Sequence, residues 1–107
     1  VFKHAGWEGK VFAYNEDGEI LDLGDPDATF CMMQVGKAID EDDMDLSAIN
    51  QFNWDSHWVR AYYNDESEIF VEMDIELSGG MTQANLKRTA QNFIEAVDSA
   101  ESAFFGE

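Results

Sequence analysis

Basic residues are scarce in this sequence, and their scarcity excludes partners that need a basic surface. The chain has 6 Lys and Arg against 23 Asp and Glu, a formal net charge of −17. Because nucleic-acid binding depends on clustered Lys and Arg that neutralise phosphates, a nucleic acid is a poor partner, and so is an anionic membrane. The charge favours either a basic protein partner or solvation alone, as in a salty cytosol.

Cysteine and long apolar runs are also nearly absent. A single cysteine, Cys31, rules out an intramolecular disulfide and permits a reducing compartment. No apolar run approaches the roughly 20 residues of a membrane span, and no secretory leader is visible. We expect a cytoplasmic protein, unless a leader has been removed from this chain, which does not begin with Met.

The sequence lacks a recognisable catalytic or metal-binding motif. It has no paired Cys/His ligands and no Gly-rich phosphate loop, and neither His4 nor His57 lies in a catalytic motif. The acidic run 40–45 lacks the central Gly and terminal Glu of a calcium-binding loop. We predict no catalytic residues, metal or cofactor. The alternative is a cation-dependent sensor or small enzyme that uses the acidic loop 40–45.

Apolar residues are abundant enough for one hydrophobic core. Hydrophobic residues make up 45% of the chain and aromatic residues 13%. With 107 residues, the chain has the length of one domain and is too short for two. We therefore predict a single domain over residues 1–107.

The N-terminal half predicts the end of a helix and then three strands. Residues 1–5 followed by Gly6 indicate a last helical turn with a left-handed glycine stop, so that most of this helix would be truncated. Turns rich in Asn, Asp, Gly and Pro separate the strands, which should form a meander. The predicted strands are residues 10–14, 19–23 and 28–35.

A short helix should follow the acidic run. Asp43 or Asp45 is a suitable N-cap, because an Asp side chain accepts hydrogen bonds from the first backbone N–H groups of a helix. The helix is expected to continue to about Gln51, with Leu46 and Ile49 facing inward.

The C-terminal half predicts two strands and a long helix. After a fourth strand at residues 57–63, strict alternation of apolar and acidic residues marks a fifth strand with one buried face. Thr82 is a good N-cap for a helix to about Phe105. Its apolar stripe comprises Leu86, Ala90, Phe93, Val97, Ala100 and Phe104. The prediction is an α+β fold with an antiparallel sheet, in the order (α)-β-β-β-α-β-β-α.

The loop between the last two strands decides which side chains share a face. A five-residue loop over residues 64–68 places Arg60 opposite Glu72, so that their charges pair. The same register places Ala61 opposite Val71 on the apolar face. A two-residue loop would bury Arg60 among apolar residues at a high cost, so we predict the longer loop.

This register predicts an aromatic patch. Trp58, Tyr62 and Phe70 would all lie on the polar face, beside Glu72 and Asp74. One interpretation is ordinary packing beneath another element or a symmetry mate. The other is a protein-binding surface, because rigid aromatic side chains often anchor partners.

From Ala48 onward the chain resembles the YbjN family, bacterial proteins described as sensory transduction regulators. The resemblance covers about 60 residues, although Ala5-Gly6-Trp7 is also similar to the end of the family's first helix. The family usually has Trp in an Asn-x-Trp-Asn pattern, where this chain has Phe52. The matching segments are Ile49-Asn50-Gln51-Phe52-Asn53, Arg60-Ala61-Tyr62, Asp65, Glu72-Met73-Asp74 and Gly79-Gly80-Met81-Thr82.

The resemblance implies a fold similar to type III secretion chaperones, which are small, acidic and usually dimeric. It implies no catalytic residues. The family motif positions carried over to this chain are Asn50, Asn53, Arg60, Asp74 and Gly79. We expect these residues to maintain the fold, since Asn and Gly suit turns and Arg suits an ion pair.

These observations together predict a non-enzymatic regulatory or chaperone-like protein-binding module. Its partner would be a basic protein or an amphipathic segment, bound by the aromatic patch or by the helix stripe. We also expect a homodimer.

Overall fold

The computed structural model describes residues 2–22, 25–78 and 80–106, which form the predicted α+β fold with an antiparallel sheet. A 3₁₀ turn at Glu41–Asp43 lies between the fourth strand and the first helix. The strands and helices are β1 (Phe2–His4), β2 (Trp7–Tyr14), β3 (Ile20–Leu21), β4 (Phe30–Ala38), α1 (Leu46–Asp55), β5 (Arg60–Tyr63), β6 (Glu68–Glu76) and α2 (Gln83–Phe105).

The sheet has the order β1-β2-β4-β6-β5, and β3 pairs with β2. The predicted meander is therefore wrong, because β4 pairs directly with β2 and does not follow β3. β2 and β4 are long and pair over seven positions, from Glu8 with Gly36 to Tyr14 with Phe30. β3 pairs with β2 at only two positions. The longer pairing provides more ladder hydrogen bonds and more shared apolar surface.

The N-terminal residues form a strand and not the predicted end of a helix. β1 and β2 make a hairpin in which His4 pairs with Trp7, and Ala5 and Gly6 form its two-residue loop. Both loop residues have positive φ, 51° and 86°, as a tight type I′ hairpin turn requires. A left-handed glycine suits both a helix end and such a turn, so the local pattern was ambiguous.

The core lies between one face of the sheet and the two helices. β6 contributes four side chains from alternate positions, and α2 contributes three from its predicted stripe. Phe52 of α1 packs against Phe104, with ring centroids 5.3 Å apart. The core residues of β6 and α2 are Ile69, Val71, Met73, Ile75, Phe93, Val97 and Ala100. The middle of the stripe is therefore occupied by the core of this chain, whereas Leu86 near the start of α2 is 44% exposed.

Both predicted helix caps are present. Asp45 accepts a hydrogen bond from Ser47 N at 2.9 Å, and Thr82 Oγ1 accepts one from Asn85 N at 3.1 Å. The inward prediction for Leu46 is wrong, since this first residue of α1 is 77% exposed. α1 reaches the core through the residues that follow its first turn, Ile49 and Phe52.

A polar and aromatic cluster joins the N-terminal hairpin to the end of α2. Trp7 Nε1 donates a hydrogen bond to Glu101 Oε2 at 2.8 Å, and the same oxygen lies 2.8 Å from Lys37 Nζ. The Lys37 ammonium also lies 4.3 Å from the ring centroid of Phe105. A cation between a carboxylate and an aromatic face is well stabilised in a partly buried position. This cluster holds α2 across β2 and β4.

Candidate functional site

The side of the sheet opposite α1 and α2 is called the open face here. No α-helix of residues 2–22, 25–78 and 80–106 covers it. Its side chains come from alternate strand positions and form rows across the sheet. The central row of the open face comprises Lys10, Gln34, Glu72 and Arg60.

The predicted register of the last hairpin is confirmed. Arg60 pairs with Glu72, and Ala61 pairs with Val71. Asn64 N donates to Glu68 O at 3.0 Å, which closes the five-residue loop. Arg60 and the acidic side chains of β6 therefore lie on one face of the sheet, and Ala61 and Val71 lie on the other, as predicted.

Glu72 is the polar centre of the open face. One carboxylate oxygen, Oε2, accepts hydrogen bonds from the Tyr62 hydroxyl at 2.6 Å and from Gln34 Nε2 at 2.5 Å. The other, Oε1, lies 2.7 Å from Arg60 Nη2. These three neighbours leave Glu72 only 5% exposed, although it lies on the polar face of the strand. A buried carboxylate is tolerated because its oxygens are satisfied.

Two neighbours of Glu72 have altered proton affinities. A hydrogen bond to Asp74, at 3.0 Å, is the largest cause that raises the pKa of Arg60. Burial, followed by the hydrogen bond to Glu72, raises the pKa of Tyr62 to about 12. The Tyr62 hydroxyl therefore keeps its proton, which it donates to Glu72, well into the alkaline range.

Tyr62 and Phe70 form a stacked pair on the open face, as their predicted shared face requires. Their ring centroids lie 5.4 Å apart with an interplanar angle of 29°. The Phe70 ring lies directly over Gly36, where an added Cβ would be 2.6 Å from Phe70 Cε1. Glycine at this position therefore allows the ring to lie flat against the sheet.

The structure does not bring Trp58 into this pair. β5 begins only at Arg60, and Trp58 has a left-handed backbone with φ of 69°. The residue departs from strand geometry, and its side chain lines a cleft with Met73 and Ile75 at the edge of β6. The prediction that Trp58 shares a face with Tyr62 is wrong, because it assumed a strand from residue 57 and the strand begins only at Arg60.

The family motif positions have mainly structural contacts. Asn53 binds the outer edge of β5: its Oδ1 accepts from Ala61 N at 2.9 Å and its Nδ2 donates to Ala61 O at 3.2 Å. Arg60 and Asp74 form the ion pair described above. Asn50 is exposed on α1, and Gly79 lies outside the described residues.

Sequence reasoning missed a second aromatic group on the open face. Tyr14 and Phe30 stack with ring centroids 4.8 Å apart, and Phe12 lies 6.5 Å from Tyr14. The central polar row separates this group from Tyr62 and Phe70. Both the odd-numbered and the even-numbered positions of β2 contain apolar residues. Only the pairing of β2 with β4 could therefore assign these rings to the open face.

The acidic run 40–45 has no converging set of carboxylates. Residues 41–43 form the 3₁₀ turn, and Asp45 is used as the cap of α1. In the described ranges, no three His, Cys, Asp or Glu side chains are grouped so that they could hold a metal ion. The same ranges contain no helix with the length and apolar character of a membrane span.

Comparison with known proteins assigns the family. The YbjN family profile, described as "Putative bacterial sensory transduction regulator", matches residues 1–106. The chain belongs to the YbjN family. The match extends the resemblance from the C-terminal half to nearly the whole YbjN chain. No curated protein and no solved structure matches it significantly.

Proposed function

We propose that this YbjN protein is a non-enzymatic regulatory or chaperone-like module that binds another protein through its open face, around Tyr62 and Phe70. The family is described as a regulator, which agrees with this role and names no reaction.

The observation that carries the proposal is the unequal covering of the two sheet faces. α1 and α2 cover one face, whereas the other bears stacked aromatic pairs without a helix above them in the described residues. Tyr62 remains 37% exposed. Aromatic surface that the fold leaves accessible is typical of a recognition site.

The hydrogen bonds of Glu72 hold this surface in a defined geometry before binding. Tyr62 is fixed by its 2.6 Å hydrogen bond to Glu72, and Phe70 by its contact with Gly36. Side chains that are already ordered lose little conformational entropy when a partner binds. The net charge of −17 favours a basic or amphipathic segment as that partner.

The test compares three baits in native bacterial lysate at low salt. These are the wild type, the double variant Tyr62→Ala/Phe70→Ala, and Trp54→Ala as a control for an exposed aromatic residue on α1. We expect a defined protein to be recovered with wild type and Trp54→Ala and to be at least tenfold depleted with the double variant. Circular dichroism checks that each bait is folded. Equal recovery by all three baits, or none above background while an unrelated bait succeeds, would contradict the proposal.

We also propose that the protein is a homodimer, which the resemblance to type III secretion chaperones supports. Light scattering over a range of concentrations tests this independently. A mass of about twice 12.1 kDa is expected, and the monomer mass at all concentrations would contradict it.

A further inference from the structure

The two strands of the last hairpin differ in length, and β6 has an exposed edge as a result. β6 has nine residues, whereas β5 has four and pairs only with residues 69–72. Among the described residues, no strand pairs with residues 73–76 on the β5 side. Residues 73–76 are called the exposed edge of β6.

The hydrogen-bond pattern shows which backbone groups face this edge. Asn64 N donates to Glu68 O, so the even-numbered residues of β6 direct their N–H and C=O groups toward β5. By the same alternation, Asp74 and Glu76 direct theirs to the same side, beyond the end of β5. The odd position Leu77 agrees, since its N–H donates to Thr29 O on the β4 side.

The outer edge of β5 is treated differently. The alternation directs the N–H and C=O groups of Ala61 outward, and both are bound by the side chain of Asn53. Unpaired strand edges are usually blocked because they attract other strands. The fold thus blocks the edge of β5 but leaves the outward N–H and C=O groups of Asp74 and Glu76 without a strand partner among the described residues.

A cleft of about 310 Å³ lies along the exposed edge. The cleft lies between this edge and α2, which contributes Thr89 and Asn92. Its other lining residues are the apolar Trp58, Met73, Ile75 and Met81 and the acidic Asp74 and Glu76. The Trp58 side chain is 74% exposed, and its left-handed backbone ends the pairing of β5 with β6 at Arg60. The strained residue therefore both opens the edge and places an indole ring beside it.

The charges at the edge select the occupant. A second copy pairing antiparallel through the same four residues would bring Asp74 and Glu76 close to the same acidic residues of its partner, which is unfavourable. Arg60 of β5 shows the favourable arrangement, since it contacts both Glu72 and Asp74. A strand that continues the line of β5 needs basic side chains on the open face and apolar ones toward Trp58.

We propose that the exposed edge of β6 binds an extended segment of a basic protein by β-strand addition, with basic and apolar residues alternating in that segment. This inference deepens the proposed function. It takes from that function only the assumption that the partner is a protein. Asp74 and Glu76 are the two positions that can hydrogen-bond to the added strand. They span a bound segment of about four residues, with a rise of roughly 3.3 Å per residue. Backbone pairing supplies affinity, and the cleft and carboxylates supply selectivity.

The experiment uses a capped eight-residue peptide of alternating lysine and valine as the probe. One control peptide has the same composition in two blocks, and two others carry N-methyl groups along one or the other backbone edge. Binding is measured by fluorescence anisotropy, and the site by amide hydrogen exchange in NMR. We expect the amides of Asp74 and Glu76 to become protected when the alternating peptide binds. The control peptide with lysines and valines in two separate blocks should bind at least tenfold more weakly, and at least one N-methylated peptide should lose binding.

The variants separate the edge from general attraction to an acidic protein. Trp58→Gly removes the ring and tolerates the left-handed backbone, and should weaken binding about tenfold; Trp54→Ala should change it less than twofold. Glu76→Pro removes one edge N–H without breaking the β4 ladder, and should abolish the peptide-induced protection of the remaining edge amide, that of Asp74.

Different outcomes distinguish this inference from the proposed function. Peptide binding that Tyr62→Ala/Phe70→Ala abolishes, without protection of the amides of residues 74 and 76, would overturn strand addition and leave the open-face proposal standing. Equal affinity for the alternating peptide and the two-block peptide would also overturn strand addition. Edge protection together with unchanged lysate recovery by Tyr62→Ala/Phe70→Ala would support the edge and contradict the open face.

Discussion

The two faces of the sheet are ordered by different forces. On the face under the helices, Val71 and Phe93 are fully buried among other apolar side chains. On the open face, Tyr62 and Arg60 are held by the carboxylate of Glu72. Apolar burial tolerates repacking, whereas a hydrogen-bonded charge requires each partner in place. The part of the open face around Tyr62 is therefore a prearranged surface whose order depends on the carboxylate of Glu72.

The largest expected effect lies on the covered face. Phe93→Ala should lower the free energy of unfolding by about 3–5 kcal/mol, because it leaves a cavity in the core. Phe70→Ala on the open face should cost only about 1–2 kcal/mol, because that ring is partly in water already. Urea denaturation monitored by circular dichroism measures both. Similar losses for the two variants would remove the distinction between the faces.

Loss of the central carboxylate should have the next largest effect. Glu72→Ala leaves Arg60, Tyr62 and Gln34 without their shared acceptor and should cost about 1–3 kcal/mol in urea denaturation. Asp74→Ala is the matched control, and its exposed ion pair should be worth at most about 1 kcal/mol. A cost for Asp74→Ala equal to that of Glu72→Ala would show that Glu72 is not the centre of the open face.

A smaller effect, an increase in stability, is expected for a substitution at Trp58, beside the edge of the sheet. Trp58→Gly should raise the free energy of unfolding by about 0.5–1 kcal/mol, because glycine adopts positive φ without strain. Trp54→Gly in α1 should lower it by about 1 kcal/mol through poorer helix propensity. Thermal and urea unfolding of both variants provide the measurement. Marked destabilisation by Trp58→Gly would mean that the indole ring is needed for folding.

The last expected effect is confined to alkaline pH and is absent under ordinary conditions. The pKa of Tyr62 is raised to about 12 in the folded protein, above the value near 10 expected when unfolded. The folded state therefore holds this proton more tightly, and the associated stability is complete below pH 10 and decreases as the pH rises through 12. Tyr62→Phe should lose less stability than wild type between pH 10 and 12 in urea titrations. Identical pH dependence in the two proteins would show that the pKa of Tyr62 is not raised in the folded protein.

Local pattern was sufficient for the C-terminal half of the fold. The alternation of β6, the register of Arg60 with Glu72 and the capped helix after Thr82 all follow from neighbouring residues. These features were predictable because strand and helix periods place side chains on defined faces. The same reasoning brought Tyr62 and Phe70 together. The expectation that Asn53 maintains the fold came from the family resemblance, and Asn53 hydrogen-bonds Ala61.

Long-range pairing decided what local pattern could not. Gly6 adopts the predicted left-handed backbone, but in a hairpin and not at a helix end. β2 pairs with β4, which displaces β3 and assigns Tyr14 and Phe30 to the open face. Trp58 lies outside β5, although strand alternation predicted that it would share a face with Tyr62.

The amino-acid sequence by itself determined the α+β class, the last hairpin and the long covering helix, because these depend on periodicity and capping within a few residues. Only the tertiary structure decided the strand order, the burial of Glu72 and the exposed edge of β6. These depend on contacts between residues far apart in the chain, and strand pairing and desolvation are settled only when such residues meet.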